Sequence, residues 1–364
     1  MTAAIQGGIV KFSRLITVAG VAAGAFALSA CGTGGSPSEP DSEGIVVSIW
    51  ADYYPADLAE SFEQATGIPV TIVNHATNEE VVSKLLAGGT GIDVAFVSGQ
   101  YAQALNEAGL LSDLDKGLIP NEVNLYPEAS ELTYDMGNVY SMPYAWGTTG
   151  LCYRSDLVSS EPTSWNDLLN PAPDVVGKTT MLATERWMAL PALKLLGYSV
   201  NSTDLEELEE VKQQLLKTKE TLLAFDDTTF YTKLVSGEAS LVEAWDGWCN
   251  YGIAEDPNIK WVIPSEGSDL WVDTITVLKD STKQEQAMKF VNYILDVEVG
   301  TFVAENILYK VPNQAAMEAL DPALIEQFPN LGMTAADLLK GEGIVDLGEF
   351  STEYTKLATE IAAG

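Results

Sequence analysis

The chain has 364 residues, 46% of them hydrophobic, and its 52 acidic residues against 19 Lys and Arg give a formal net charge of −33. That hydrophobic fraction is too high for an acidic disordered chain, and the length allows two domains that each bury a core. So acidic a chain repels phosphate backbones, which argues against nucleic-acid binding, while one histidine and three cysteines leave little for a metal centre.

The first 30 residues differ in composition from the rest of the chain. Lys11 and Arg14 precede an apolar run of small residues at 15–28, which has the length of a signal peptide and is too short for a membrane span. The segment Leu-Ser-Ala-Cys that ends at Cys31 resembles a bacterial lipobox. The resemblance implies a lipoprotein signal peptide over 1–30, lipid on Cys31 and anchoring to the outer face of the cytoplasmic membrane. The alternative is a secretory signal whose cleavage site happens to contain a cysteine.

Residues 31–44 are rich in Gly, Ser, Pro and acids and have no apolar periodicity, so they are predicted to form a flexible tether behind the lipid anchor. A location outside the cytoplasm would allow Cys152 and Cys249 to be oxidised. The sequence leaves two states open for them, a disulfide and a buried pair of free thiols, of which the free thiols are favoured.

The remaining chain alternates predicted strands and helices, which indicates an α/β fold with a mostly parallel sheet covered by helices. In an open sheet of this kind, ligands bind beyond the carboxyl ends of the strands. The predicted strands are 45–50, 69–73, 93–97, 239–244, 260–263 and 273–278, and the predicted helices are 57–66, 78–87, 187–196, 204–219 and 283–296.

The sequence contains no recognisable catalytic motif. His75 stands alone without a G-x-S-x-G segment, and it is interpreted as a surface or packing residue. No P-loop and no G-x-G-x-x-G motif is present. We therefore expect neither catalysis nor a cofactor nor a bound metal.

Tryptophan or tyrosine occurs beside aspartate at three predicted strand ends. In a strand, residues i and i+2 point to the same face, so W-x-D presents a ring and a carboxylate together. Rings cover methylene groups and attract cations, while carboxylates pair with ammonium groups, and this combination suits a flexible cationic ligand. For each residue alone, the alternative is core packing. The three groups are Trp50, Asp52 and Tyr53; Trp245, Asp246 and Trp248; and Trp271 and Asp273.

From about Val46 to about Leu357 the chain resembles the spermidine/putrescine-binding proteins of ABC importers, a polyamine-type substrate-binding family. The resemblance implies a periplasmic-binding-protein-like fold, in which two α/β lobes joined by crossing hinge strands close on a ligand in the cleft between them. It is carried by I-W-A-D-Y (49–53), F-E-Q-A-T-G-I-P-V (62–70), K-L-L-A-G-G-T-G-I-D-V (84–94), M-P-Y-A-W-G-T-T-G (142–150), W-V-D (271–273) and Y-K-V-P-N (309–313).

The resemblance assigns ligand-binding roles position by position. It implies a serine contact at Ser98, an amine-binding carboxylate at Asp273 and a second acid at Asp52. The aromatic residues that would line the ligand are Trp50, Tyr53, Trp245, Trp271 and Tyr309.

Two departures from the family pattern bear on the ligand. Thr184 and Trp187 stand where the family has acids for further amines, and Ile344 aligns with a polar amide. Glu185 is adjacent and is a substitute acid, and Asp246 is a candidate for the second carboxylate. Because a buried ammonium needs a charged partner, fewer acids imply fewer charges on the ligand, so a diamine or monoamine is expected in preference to spermidine.

The sequence therefore predicts a lipid-anchored, monomeric binding protein that captures a small cationic amine and delivers it to an ABC permease. Residues 45–147 and 272–317 are expected in lobe 1, and 148–271 and 318–364 in lobe 2. One alternative keeps the class but has a neutral or zwitterionic ligand whose carboxylate pairs with Arg186. The other is a surface-anchored enzyme or interaction protein that retains only the fold.

Overall fold

The computed structural model describes residues 44–363. The predicted signal peptide, Cys31 and the tether up to residue 43 lie outside the described residues. The strands are β1 (Ile45–Trp50), β2 (Val70–His75), β3 (Val94–Ser98), β4 (Ser141–Gly147), β5 (Thr149–Arg154), β6 (Thr179–Met181), β7 (Ala224–Phe225), β8 (Leu241–Trp245), β9 (Ile259–Val262), β10 (Asp269–Val277) and β11 (Glu342–Gly343).

Helices cover the sheets formed by these strands. Short 3-10 turns occur at Lys116–Leu118, Pro120–Asn124, Pro127–Ser130, Pro329–Gly332 and Gly348–Phe350. The α-helices are α1 (Leu58–Thr66), α2 (Asn78–Ala87), α3 (Gly99–Glu107), α4 (Trp165–Leu169), α5 (Glu185–Leu196), α6 (Leu205–Lys219), α7 (Phe230–Ser236), α8 (Asp246–Glu255), α9 (Gln284–Ile294), α10 (Val297–Ile307), α11 (Gln314–Ala319), α12 (Pro322–Gln327), α13 (Ala335–Leu338) and α14 (Ser351–Ala363).

The first sheet begins as the predicted βαβαβ unit. β1 pairs in parallel with both β2 and β3, and α1 buries Leu58 and Phe62 on one face. Gly67 ends α1 in the left-handed conformation (φ 72°) that glycine adopts without a steric penalty. The order β11-β10-β3-β1-β2, with β4 also paired to β10, makes the sheet mixed, because β10 is antiparallel to β3 and β4.

The second sheet has the order β7-β6-β8-β5-β9. β5 runs antiparallel to both β8 and β9, while β6 is parallel to β7 and β8. Cys152 of β5 and Cys249 of α8 form a disulfide with Cα atoms 5.8 Å apart, so the preference for free thiols was wrong. Cys249 follows β8 by only a few residues, and the geometry that brings α8 back onto β5 is not visible in the sequence.

Two connections join the sheets: β4 of the first leads through Thr148 directly into β5 of the second, and β9 of the second leads back to β10 of the first. The Thr148 hydroxyl donates to the backbone oxygen of Asp269 at 2.7 Å. Asp269 begins β10, and its carboxylate accepts from the backbone N–H of Thr149 at 2.8 Å. The starts of β5 and β10 are thereby fastened to each other where the chain passes between the sheets.

Candidate functional site

Asp273 lies at the carboxyl end of β3, where the antiparallel register of β10 pairs it with Ser98. The Ser98 hydroxyl donates a hydrogen bond of 2.6 Å to Oδ1, and the Tyr53 hydroxyl donates one of 2.9 Å to Oδ2. Both donors are neutral and buried, so they orient the carboxylate without balancing its charge. Three residues that are far apart in sequence and were predicted to bind ligand therefore meet at one carboxylate.

Burial raises the pKa of the Asp273 carboxyl to about 6, although the hydrogen bonds from Ser98 and Tyr53 act in the opposite direction. Removing a carboxylate from water without a cationic partner destabilises its charged form. An ammonium group placed against it would restore that charged form through a charge-assisted hydrogen bond. The Asp273 carboxylate is thus a suitable partner for a cation.

Around Tyr53, which binds this carboxylate, aromatic rings pack against one another edge to face. Tyr53 has ring-centroid distances of 5.7 Å to Trp50, 5.6 Å to Tyr144 and 5.3 Å to Tyr309. Tyr309 in turn lies 5.5 Å from Trp271. Trp50, Tyr53, Trp271 and Tyr309 were predicted together, and the structure brings them into one cluster. Tyr144 was missed, because a tyrosine within a buried strand gives no separate signal.

Two glycines allow these rings to lie against the backbone. A Cβ at Gly147 would come within 2.2 Å of the Trp271 ring, and a Cβ at Gly247 within 2.4 Å of the Tyr309 ring. Any side chain at either position would displace a ring of the site. Gly147 is the last residue of β4, and Gly247 lies in the first turn of α8, directly after β8, so both sheets supply backbone to the aromatic cluster.

Asp246 lies beside the aromatic cluster, next to Gly147 and the Trp271 ring. It is fully buried at the start of α8, forms an ion pair with Lys310 and accepts from the backbone N–H of Gly247 at 2.9 Å. Lys310 was not expected at the site, since a lysine after the family's tyrosine is not distinctive in sequence. The predicted carboxylate of Asp246 already has a cationic partner within the chain.

Asp52 is exposed and has a positive φ of 58°, a conformation that aspartate tolerates better than most residues. Burial raises the pKa of Tyr251 on α8, and the charge of Asp52 adds to that increase. Asp52 follows β1 of the first sheet, and its charge is felt at Tyr251 of α8.

Trp245 ends β8 of the second sheet, and Glu185 begins α5. Trp245 contacts Trp187 at 5.7 Å and Phe230 at 6.4 Å between ring centroids. Burial raises the pKa of Tyr101 on α3, with contributions from the charges of Glu79 and Glu185.

The two positions that depart from the family pattern bind acids elsewhere in the chain. The Thr184 hydroxyl donates to Asp227 at 3.0 Å, and the Trp187 indole donates to Asp269 at 2.9 Å. Asp269 was missed, although a D-x-W-x-D pattern on one strand face was available to find it. Ile344, which aligns with the family's polar amide, is buried.

The guanidinium of Arg186 is engaged by the chain itself. It donates to the backbone oxygens of Val200 and Val345 at 2.9 and 3.1 Å and to Asn201 Oδ1 at 2.7 Å, and it lies 5.0 Å from the centre of the Tyr354 ring. Through these contacts, Arg186 links α5 to α14 and to the segment after β11. In the zwitterion alternative, a ligand carboxylate would have to compete for these terminal nitrogens or use the buried Nε, which has no partner in the described residues.

His75 is a packing residue, one of the two roles expected for it. It is buried against Trp50 at 4.7 Å, its Nδ1 shares a hydrogen bond of 2.9 Å with Ser48, and burial lowers its pKa to about 4. Within residues 44–363, no group of three or more His, Cys, Asp or Glu side chains is arranged to hold a metal ion. The same part of the chain has no helix with the length and apolar character of a membrane span.

Comparison with known proteins defines the class to which this fold and site belong. Residues 57–321 match the family of bacterial extracellular solute-binding proteins. The chain belongs to this family, whose members are binding proteins and not enzymes, and its fold is the expected two-lobed α/β fold with an interlobe cleft.

Particular relatives narrow the class. The chain is 31% identical to the spermidine/putrescine-binding periplasmic protein of Salmonella typhimurium, over 97% of this chain and 99% of that protein. It is 28% identical to the putrescine/agmatine-binding protein of Pseudomonas aeruginosa, over 83% and 88%. The solved spermidine/putrescine ABC transporter substrate-binding protein of Streptococcus pneumoniae has a TM-score of 0.77 and 27% identity, covering 88% of this chain and 98% of that one. The predicted resemblance to polyamine-type binding proteins is confirmed.

Proposed function

We propose that this protein captures a small cationic amine, of the putrescine or spermidine kind, by closing its lobes and delivers it to an ABC permease. The observation that carries the proposal is the Asp273 carboxylate, oriented by two neutral hydroxyls and surrounded by aromatic rings. Rings cover the methylene chain and attract its positive charge, while the carboxylate pairs with an ammonium group. The names of the relatives point to the same ligand class.

A thermal-shift screen of residues 45–364 tests this function. The panel contains putrescine, cadaverine, spermidine, agmatine, amino acids, betaines and sugars. A ligand at a hundred times its dissociation constant adds about 2.7 kcal/mol to the free energy of unfolding, and we expect that stabilisation from at least one amine. Stabilisation by a zwitterion or sugar alone would keep the binding protein and discard the amine. No shift with any compound would contradict the proposed function.

The pH dependence of amine binding follows from the raised pKa of Asp273. The ammonium group binds the ionised carboxylate, and a group with a pKa of about 6 is only about one-tenth ionised at pH 5. We expect the affinity for the amine to be about tenfold weaker at pH 5 than at pH 7. Calorimetric titration at both values measures this difference, and Asp273→Asn should lose most of it. An affinity that stays constant over this interval would show that Asp273 does not bind the charge.

We also propose that the protein is a monomer anchored through lipid on Cys31, with lobe 1 formed by 45–147 and 272–317 and lobe 2 by 148–271 and 318–364. The first division falls where β4 of one sheet leads into β5 of the other.

Lipid anchoring predicts the behaviour of Cys31→Ala. The variant lacks the acylated sulfur and should move from the membrane fraction to the soluble extracytoplasmic fraction, because an acylated cysteine supplies the membrane affinity. Immunoblots of the two fractions measure the distribution, with Ser29→Ala as a control that keeps the cysteine. Retention of Cys31→Ala in the membrane fraction would contradict the anchor.

A further inference from the structure

The ion pair between Asp246 and Lys310 is enclosed by protein on all sides. The side chain of Lys310 is 2% exposed and that of Asp246 0%. The carboxylate also receives the backbone N–H of Gly247, and the backbone oxygen of Lys310 accepts from Trp146 at 3.1 Å. Two charges removed from water in this way persist only because each compensates the other.

The pair lies directly against the aromatic cluster of the candidate site. A Cβ at Gly147 would be 2.4 Å from Asp246 Oδ1 and 2.2 Å from the Trp271 ring, so the carboxylate and this ring are neighbours across the glycine. Burial raises the pKa of the Tyr309 hydroxyl, and the charges of both Asp246 and Asp273 contribute. Tyr309 therefore lies within reach of two carboxylates, one paired with neutral hydroxyls and one with Lys310.

The Lys310 side chain is chemically a primary alkylammonium, the same group that ends a polyamine. It comes from the residue directly after Tyr309 and reaches the acid that directly follows Trp245. In occupying that acid, it satisfies a buried carboxylate that would otherwise need another cation. A ligand with one more ammonium group than the free carboxylates can serve would bury that group unpaired, which is strongly unfavourable.

We propose that Lys310 is an internal ammonium that occupies Asp246 and thereby lowers by one the number of ammonium groups that the cleft accepts. Lys310 is then a specificity-determining residue that favours diamines such as putrescine over triamines such as spermidine. This inference rests on the proposed amine-binding function and adds the charge of the preferred ligand to it.

The test compares the affinities for putrescine and spermidine in the wild type and in Lys310→Met. Methionine keeps the unbranched chain and removes the charge, which leaves Asp246 for a ligand ammonium. We expect the wild type to bind putrescine more tightly, and the preference for putrescine over spermidine to fall at least about tenfold in Lys310→Met, since a charge-assisted hydrogen bond is worth about 1.5–3 kcal/mol. Isothermal titration calorimetry with each amine measures both affinities.

Two further variants separate charge from packing. Lys310→Arg keeps the cation and should keep the wild-type preference, whereas the double variant Asp246→Asn with Lys310→Met removes the freed carboxylate and should restore the preference for putrescine. If Lys310→Met is unstable alone, it is prepared with each amine, and its melting temperature is measured beside that of the wild type. The extra stabilisation by putrescine over spermidine must then be smaller in the variant than in the wild type.

The outcomes distinguish this inference from the function on which it rests. If the wild type binds no amine of the thermal-shift panel, the proposed function fails. If the wild type binds amines but Lys310→Met keeps the wild-type preference for putrescine over spermidine, the inference about Lys310 is overturned while the function stands.

Discussion

Asp273→Asn is expected to weaken amine binding by about 10- to 100-fold, because a charge-assisted hydrogen bond contributes about 1.5–3 kcal/mol and asparagine cannot supply the negative charge. The substitution keeps the size of the side chain. One of the Ser98 and Tyr53 hydroxyls keeps an oxygen to donate to, and the other turns to accept from the amide –NH2. Calorimetric titration with the amine identified by the thermal-shift screen measures the loss. Since the raised pKa leaves Asp273 mostly uncharged at pH 5, the loss of affinity should be larger at pH 7 than at pH 5.

A matched control is needed because the chain carries a net charge of −33 and attracts any cation from a distance. Asp280→Asn removes the same charge from an exposed position just beyond the C-terminal end of β10. It should leave the affinity near that of the wild type. Equal losses in the two variants would assign the effect to long-range attraction, and an unchanged affinity in Asp273→Asn would remove this carboxylate from the binding site.

Removing the disulfide between Cys152 and Cys249 is expected to lower the free energy of unfolding by about 2–5 kcal/mol. The bond closes a loop between residues 97 apart, for which the chain-entropy model predicts a stabilisation near the upper end of that range. The double variant Cys152→Ala with Cys249→Ala, studied by urea unfolding of residues 45–364, measures the difference. Because α8 carries Asp246 and Trp248, we also expect a weaker affinity for the amine.

Dithiothreitol provides the control for the small cavities that the alanines leave. The reductant should destabilise the wild type and leave the double variant unchanged, because only the wild type has a bond to lose. If the wild type unfolds at the same urea concentration with and without dithiothreitol under conditions that reduce the disulfide, the bond contributes nothing to stability.

Each strand and helix predicted from local patterns is present in the structure, but β4–β7 and β11 and several helices were not predicted. β1 and α2 have the predicted bounds, and α1 ends at Gly67 as expected, because apolar spacing and a glycine end signal are properties of neighbouring residues. The strand predicted from 273 begins instead at Asp269, since its first residues pair with β11, which is more than 70 positions away in the chain.

The same distinction holds within the site. The W-x-D-Y and W-x-D segments identified Trp50, Tyr53, Trp271 and Asp273, because rings and carboxylates at strand ends can be recognised from the order of residues alone. Lys310 and Asp269 were missed, since their roles depend on which buried acid or donor lies opposite them. The free or paired state of a carboxylate is a property of its three-dimensional neighbours.

The sequence by itself determined the α/β class, the family and the residue types that bind a cationic chain, all of which are carried by local order and composition. Only the tertiary structure decided that Asp246 is paired with Lys310, that Arg186 is held by backbone oxygens and that Cys152 meets Cys249. The physical reason is that ion pairs, hydrogen bonds and disulfides form over a few ångströms. Residues separated by tens of positions reach that distance only when the strands and helices have packed.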